Sequence, residues 1–203
     1  QEGNDESIFK IAQSILAKNS NDVSSLLALG VVHYKRGHLA GANMMFDKVL
    51  KLDPKNVSAR NNRGLILVSQ REFRDAIKEF RKVLEVEPNN GIAAANIGSI
   101  YIEAKDYAKA YIALDIAFQK MYRDPKIINN YGVALTATGR HKEAKDIYQK
   151  AMDKSPGNKD IMLNYAILLI DHLKQYQQGL DLIAKIKFLG LSPEVKNRIN
   201  LLE

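Results

Sequence analysis

The sequence predicts an all-α chain: a right-handed α-solenoid of about five helix-turn-helix repeats, with an N-terminal half repeat and a C-terminal capping helix. Three observations carry this. Gly30, Gly64, Gly98 and Gly132 stand 34 residues apart, in the settings LALGVVHY, NNRGLILV, ANIGSIYI and NYGVALT. Ala42, Ala76, Ala110 and Ala144 keep the same step, as do Phe46, Phe80, Leu114 and Tyr148. Pro54, Pro88 and Pro156 close the unit. A fixed period of this length marks stacked modules, each too small to bury its apolar face alone.

Within each unit 11 residues separate the glycine from the alanine, with a break near Gly37, Arg71, Lys105 or Gly139. Each unit therefore reads as two helices, A and B, joined by a short turn. Small residues let helices approach closely, which predicts that the glycine of helix A faces the alanine of helix B. Proline after helix B cannot continue it and separates one unit from the next.

Taken in order, residues 8–18 place Ile8, Ala12 and Ile15 on one face, predicting an N-terminal helix over 8–22 that resembles a helix B without its helix A. The leader before it, with Glu2, Asp5 and Glu6, reads as a solvated tail. The repeats follow at 23–56, 57–90, 91–124, 125–158 and 159–192. The last has Ala166 in place of glycine and needs one extra residue, within DHLKQYQQG, to bring Gly179 to the small position of helix B. At the end Ser192 and Pro193 fit an N-cap and first turn, and Val195, Ile199 and Leu202 share one face of a helix over 193–203. The whole of 1–203 reads as one domain.

The motif resembles that of the tetratricopeptide repeat family, read in the first repeat at Leu26, Leu29, Gly30, Ala42, Phe46, Val49 and Pro54. The resemblance covers almost the whole chain. Departures are Arg60 and Arg63 where the family prefers large apolar residues, Tyr122 in place of a closing proline, and Ala166 for glycine. For the arginines, snorkelling to water along apolar neighbours is the plain expectation, with a basic patch shared with Arg71 and Arg74 as the alternative. The resemblance implies a non-catalytic protein-interaction scaffold whose helices A line a concave groove, with no cofactor and no small-molecule substrate.

Helical geometry locates that groove. Numbering each repeat from its first residue, positions 4, 8 and 11 of helix A form the packed stripe, and positions 2, 6, 9 and 13 lie opposite. At position 6 stand Asn62, Asn96, Asn130 and Asn164. An amide offers two donors and an acceptor, so such a row can hold an extended peptide backbone whatever its side chains. The row is similar to the asparagine ladder of the O-linked N-acetylglucosamine transferases; the alternative is that these amides serve local helix contacts. Position 9 adds Leu65, Ser99, Val133 and Ile167, and position 12 adds Tyr34, Val68, Ile102 and Ile170. The position-12 residues are candidates either for a partner's apolar groups or for burial by a neighbouring repeat. Family members that clamp a terminal carboxylate use Lys and Arg at positions 2, 5 and 6, and only Lys126 matches, so the expected partner is a neutral or mixed extended segment or an amphipathic helix.

Composition bounds the rest. The net charge of +7 raises nucleic-acid or anionic-surface binding as an alternative, but Arg74, Lys78, Arg81 and Lys82 interleave with Asp75 and Glu79 as on a solvated face. There is no cysteine, hence no disulfide or thiolate metal site. His33, His38, His141 and His172 fall at unrelated repeat positions and read as packing or surface residues. No apolar run approaches the ~18 residues needed to span a bilayer. Likeness to the tetratricopeptide lipoproteins that assemble pili, gliding or secretion machines points to the bacterial periplasm or outer membrane, with a cytosolic adaptor as the alternative; oligomeric state is left open.

Overall fold

Asp22, Asn56, Asn90, Asp124 and Asn158 also recur at the 34-residue step, and each starts a helix A. A short side-chain oxygen one residue before a helix can accept from the N–H groups that the first turn leaves unpaired. Asp22 accepts from Ser25 N at 2.8 Å, Asn56 from Ala59 N at 3.0 Å, Asn90 from Ala93 N at 2.9 Å, Asp124 from Lys126 N at 2.8 Å and Asn158 from Ile161 N at 3.1 Å. These caps fix the phase of every repeat.

The computed structural model describes residues 2–121, 124–190 and 193–200. Among them all regular structure is helical: α1 (Glu2–Lys18), α2 (Val23–Lys35), α3 (Leu39–Leu52), α4 (Val57–Ser69), α5 (Phe73–Val86), α6 (Gly91–Glu103), α7 (Tyr107–Met121), α8 (Pro125–Ala137), α9 (His141–Lys154), α10 (Lys159–Ile167), α11 (Tyr176–Phe188) and α12 (Pro193–Asn200). The helices gather into two compact units, 1–93 and 94–203. In the first, α1 packs on α2, α2 on α3 and α4 on α5. In the second, α7 packs on α8, α8 on α9, and α10 on α11.

The turn between helices A and B is a left-handed residue, at Gly37 (φ 76°), Arg71 (63°), Lys105 (58°), Gly139 (78°) and Lys174 (56°). Glycine adopts this conformation freely and lysine and arginine do so at a cost, yet the turn is the same. In the first repeat His38 N donates to His33 O at 2.9 Å and Gly37 N to Tyr34 O at 2.9 Å, pairing the last carbonyls of helix A.

The step from Gly139 to Lys174 is one residue longer than the others, and the extra residue lies in a π-helical turn, Leu168–His172, that continues α10. Widening one helical turn absorbs an insertion without breaking the helix. The sequence expectation placed the extra residue within 171–179, a range that the π turn overlaps at Asp171 and His172.

The glycine expectation needs a correction too. A Cβ on Gly30 would lie 2.5 Å from Phe46, on Gly64 2.4 Å from Phe80, on Gly98 2.4 Å from Leu114 and on Gly132 2.4 Å from Tyr148. The glycine therefore admits the bulky residue of helix B, not the alanine; Ala42, Ala76, Ala110 and Ala144 are buried separately. In the fifth repeat the trade is reversed, with Ala166 in place of glycine and Ile183, smaller than the aromatic rings, in the same core cluster.

Two expectations at the N-terminus are likewise revised. The helix expected over 8–22 spans Glu2–Lys18. The acidic leader is not a solvated tail: Asp5 pairs with Lys35 at 2.8 Å and Glu6 with Arg36 at 2.7 Å, while the Arg36 guanidinium lies 4.8 Å from the Phe9 ring centre. At the other end α12 begins at Pro193 with Val195 and Ile199 buried, whereas Tyr122, Ser192 and Leu202 fall outside the described residues.

Candidate functional site: the open face of the first helices

The burial of helix A is graded: positions 3 and 10 are buried in all five repeats, while position 11, expected in the packed stripe, is fully buried only at Leu135 and Leu169. Position 2 (Ser24, Ser58, Ile92, Lys126, Asp160) is exposed in all five repeats, whereas positions 6, 9 and 12 are half-buried in every repeat. Within each unit this face therefore has a wet rim and a floor partly shielded by neighbouring side chains.

The four amides sit on that floor in different settings. Asn62 donates to Ser58 O at 2.8 Å, within its own helix. Asn130 donates to Ser99 Oγ at 3.2 Å, joining positions 6 and 9 of successive helices A. Asn164 has apolar Val133 at the corresponding place and donates instead to Asn129 Oδ1 at 2.7 Å, while its own Oδ1 accepts from Arg198 at 2.5 Å. Asn96 Nδ2 is buried without a hydrogen-bond partner among the described residues. At position 12, Tyr34, Ile102 and Ile170 pack against the core clusters of their own units; Val68 is half-buried.

In the second unit this face holds a cleft of ≈ 240 Å³ between the C-terminal halves of α8 and α10. Val133, Asn164 and Ile167, three of the residues expected from the sequence, line it together. Thr136, Ala137 and His172 form its far end, Tyr107 enters from α7, and Tyr148 lies at its floor. The Tyr148 side chain is fully buried; burial raises its pKa, and a side-chain hydrogen bond with Thr136 opposes that rise. Thr136 and Ala137 stand at positions 12 and 13 of the fourth repeat and Tyr148 in the repeated bulky series, so the register reaches them although the sequence reading did not single them out for the site; Tyr107 and His172 do not follow from it.

In the first unit a second cleft, of ≈ 350 Å³, is lined by Leu27, Ala28, Val31 and Asn62 from α2 and α4. Asp5 and Ile8 of α1 form one wall. The protein's own first helix therefore borders this part of the face, and the Asp5–Lys35 pair stands at its edge.

Charges on the helices B are paired locally: Lys78 with Asp75 at 2.7 Å, Lys109 with Asp106 at 2.6 Å and Arg140 with Glu143 at 2.8 Å. Arg60 and Arg63 do not snorkel. Arg60 pairs with buried Glu79 at 3.2 Å and donates to Pro54 O at 2.6 Å, and Arg63 pairs with Asp47 at 3.2 Å. The departure from the apolar motif is thus an internal ion pair. The histidines form two ring contacts, His33 with His38 at 5.9 Å and His141 with His172 at 4.6 Å between centroids. Among the described residues no group of three or more His, Asp and Glu side chains is placed to hold a metal ion, and no helix is long and apolar enough to cross a membrane.

The comparisons with known proteins agree with this architecture. Descriptions of the tetratricopeptide repeat match residues 27–73, 63–123 and 135–196. No curated protein matches the chain. Among solved structures it is similar to YrrB, described as a TPR protein with an unusual peptide-binding site, at TM-score 0.79 and 18% identity over 93% of this chain and 97% of that one. It is also similar to PilF of Pseudomonas aeruginosa, at TM-score 0.70 and 22% identity over 86% and 80% of the two chains. A MamA protein, RS-1, aligns at TM-score 0.74 and 18% identity over 83% and 94%. Likeness at such identities speaks for the fold, and with capped helix pairs in a 34-residue register that the repeat descriptions cover over most of its length, the chain belongs to the tetratricopeptide repeat family.

Proposed function

We propose that the protein binds a segment of another protein, extended or as an amphipathic helix, along the open face of its helices A. Proteins of this family are generally non-catalytic scaffolds, and a protein partner is what the repeat fold supports. The observation that carries the finer reading is the cleft of the second unit, where Val133 and Ile167 supply apolar contact and Asn164 polar contact on one preformed floor. A rigid floor spares the receptor's share of the ordering entropy on binding, leaving mainly the ligand's.

The test is selection of linear peptides displayed on phage against the immobilised protein, with Ala137→Arg as the blocked control. Ala137 is exposed at the rim of the cleft and ends α8, where a cation suits the helix dipole, so the variant should fold while its side chain fills the entrance. Peptides that bind the wild type and lose at least about tenfold on the variant support the reading, roughly 1.4 kcal/mol of contact. Equal enrichment on both proteins would refute it. A fluorescent DNA duplex titrated at low and physiological salt tests the rival, which requires binding that falls steeply with salt. Cell fractionation tests the envelope setting, in which the partner is a component of a bacterial assembly machine.

A further inference from the structure

We propose, independently of the groove reading, that α11 is a self-association surface on which a second copy of the chain packs its own α11, antiparallel about a two-fold axis. Four side chains one helical turn apart, Tyr176, Leu180, Ala184 and Phe188, share one face of α11 and are all exposed. Phe188 is 91% exposed, Tyr176 55% and Leu180 46%. Large apolar residues scattered singly on a surface are ordinary, but a row of them along about 18 Å of one helix marks a contact surface.

The other helices B show what this face does within the stack. In their register Tyr176 and Leu180 correspond to His141 and Lys145 of α9 and to Tyr107 and Tyr111 of α7, all half-buried. The next repeat supplies the cover. The guanidinium of Arg140, which precedes α9, lies 4.3 Å from the Tyr111 ring centre, and Lys145 donates to Gln175, which precedes α11, at 3.0 Å. This face of a helix B is thus one that receives a helical neighbour. Ala184 and Phe188 extend it beyond what the stack uses. The counterparts of Phe188 are Lys51, Glu85, Gln119 and Asp153, and those of Ala184 are Asp47, Arg81, Asp115 and Gln149. A further repeat stacked in the usual way requires no apolar group at either position. Nor does α12, which lies on the buried side of α11, where Val195 and Ile199 join Ile183 and Ile186 in one core cluster.

Symmetry selects the occupant. The row is centred on Leu182, so a two-fold axis there sets Leu180 against Ala184 of the second copy, large against small, and Tyr176 against Phe188 as an aromatic pair. The polar flank fits the same operation. Asp181 comes beside Lys185 of the second copy, and the symmetry makes this pair of opposite charges twice. Gln177 comes opposite Lys187; its amide nitrogen is spent on Asp181 Oδ1 at 2.9 Å, which leaves its carbonyl oxygen as an acceptor. A parallel arrangement would instead set Asp181 against Asp181 and Lys185 against Lys185. One helix pair makes a small interface, so the association is weak and depends on concentration.

Sedimentation velocity and light scattering of the 203-residue chain over about 1–100 μM test this. The expected result is a rise from one chain mass to two and no further. Leu180→Glu and Phe188→Glu, both at exposed positions, should keep the helical circular dichroism of the wild type and weaken the dimer at least about tenfold. Asp181→Lys and Lys185→Asp should each weaken it, whereas an equal mixture of the two should associate as well as the wild type, because each variant restores the opposite charge across the axis. A wild type that stays at one chain mass throughout overturns the proposal, and so does a Phe188→Glu variant that dimerises undiminished. A mixture no better than its separate components overturns the antiparallel pairing. Growth beyond two copies, or association lost in Ile11→Glu on the exposed face of α1, would show a head-to-tail contact in place of the two-fold one.

Discussion

Replacing Gly64 by alanine sets two effects of known size against each other. A Cβ at this position would lie 2.4, 2.6 and 2.9 Å from Cε1, Cζ and Cδ1 of Phe80. Carbon atoms rest at about 3.5–4.0 Å, so the ring or the helix must move by about 1 Å. Phe80 is fully buried and has no solvent side to retreat to. Overpacking of this kind costs about 1–3 kcal/mol, while alanine gains about 1 kcal/mol of helix propensity over glycine. The net expectation is a loss of up to about 2 kcal/mol, a fall in melting temperature of up to about 8 °C for a chain of this size. Phe80→Ile alone leaves a void and also destabilises. The pair Gly64→Ala with Phe80→Ile, however, copies Ala166 and Ile183 of the fifth repeat, so it should be less damaging than the sum of its parts by about 0.5–3 kcal/mol. Urea and thermal unfolding followed by far-ultraviolet circular dichroism read all four proteins. A higher melting temperature for Gly64→Ala, or strict additivity in the cycle, would show that propensity rather than close approach governs the position.

Two further outcomes follow from polar groups in the first unit. Arg60→Ala should cost roughly 2–4 kcal/mol, because it strands the Glu79 carboxylate, 9% exposed, with only Lys82 at 3.3 Å, and the double variant Arg60→Met with Glu79→Met should recover most of that in the same unfolding assay. His33 is held below its ordinary pKa of 6.5 by burial, with the cationic fields of His38 and Arg36 adding to it, and its Nδ1 is buried without a hydrogen-bond partner. The folded state therefore binds this proton less readily than the unfolded chain. Its contribution is fully present above about 6.5 and is lost as pH falls toward the folded value. Glu6, Asp22, Asp75 and Asp106, lowered from 4.5 or 3.8, act only in a more acid range. Melting temperature should thus drop as pH falls below about 6.5, and His33→Gln should flatten that drop; an unchanged slope would remove His33 as its source.

The periodic part of the fold was legible because it is repeated: glycine, alanine, bulky residue and proline each recur at one spacing, and chance does not reproduce four such series in register. The five caps recur at the same spacing and could have been read with them, since Asp and Asn before an apolar run signal a helix start. What the sequence left hidden depends on direction in space. Whether Gly64 meets Ala76 or Phe80 is a matter of where side chains lean, and a spacing cannot tell the two apart. Arg60 looked like a misplaced cation because its partner Glu79 lies on the next helix, 19 residues away. The leader lacks apolar periodicity, and its helix is held partly by Asp5 and Glu6 pairing with Lys35 and Arg36 across 30 residues. One extra residue between Gly139 and Lys174 was countable, but not that a π turn would house it.

A repeat protein supplies its own controls, and this is what separates scaffold from site here. Stability in stacked modules is close to a sum of similar repeats and similar interfaces, so a position that serves only the stack can be filled alike each time. The glycines, alanines and caps behave in that way. Position 6 does not: the amide persists in four repeats, yet its hydrogen bond goes to its own helix at Asn62, to the preceding helix A at Asn130, and to a pair of partners at Asn164. A purely structural amide would be expected to keep one partner, as the caps do. A polar atom placed where packing does not require it, on the face that packing leaves open, is where a partner's chemistry has room to be recognised.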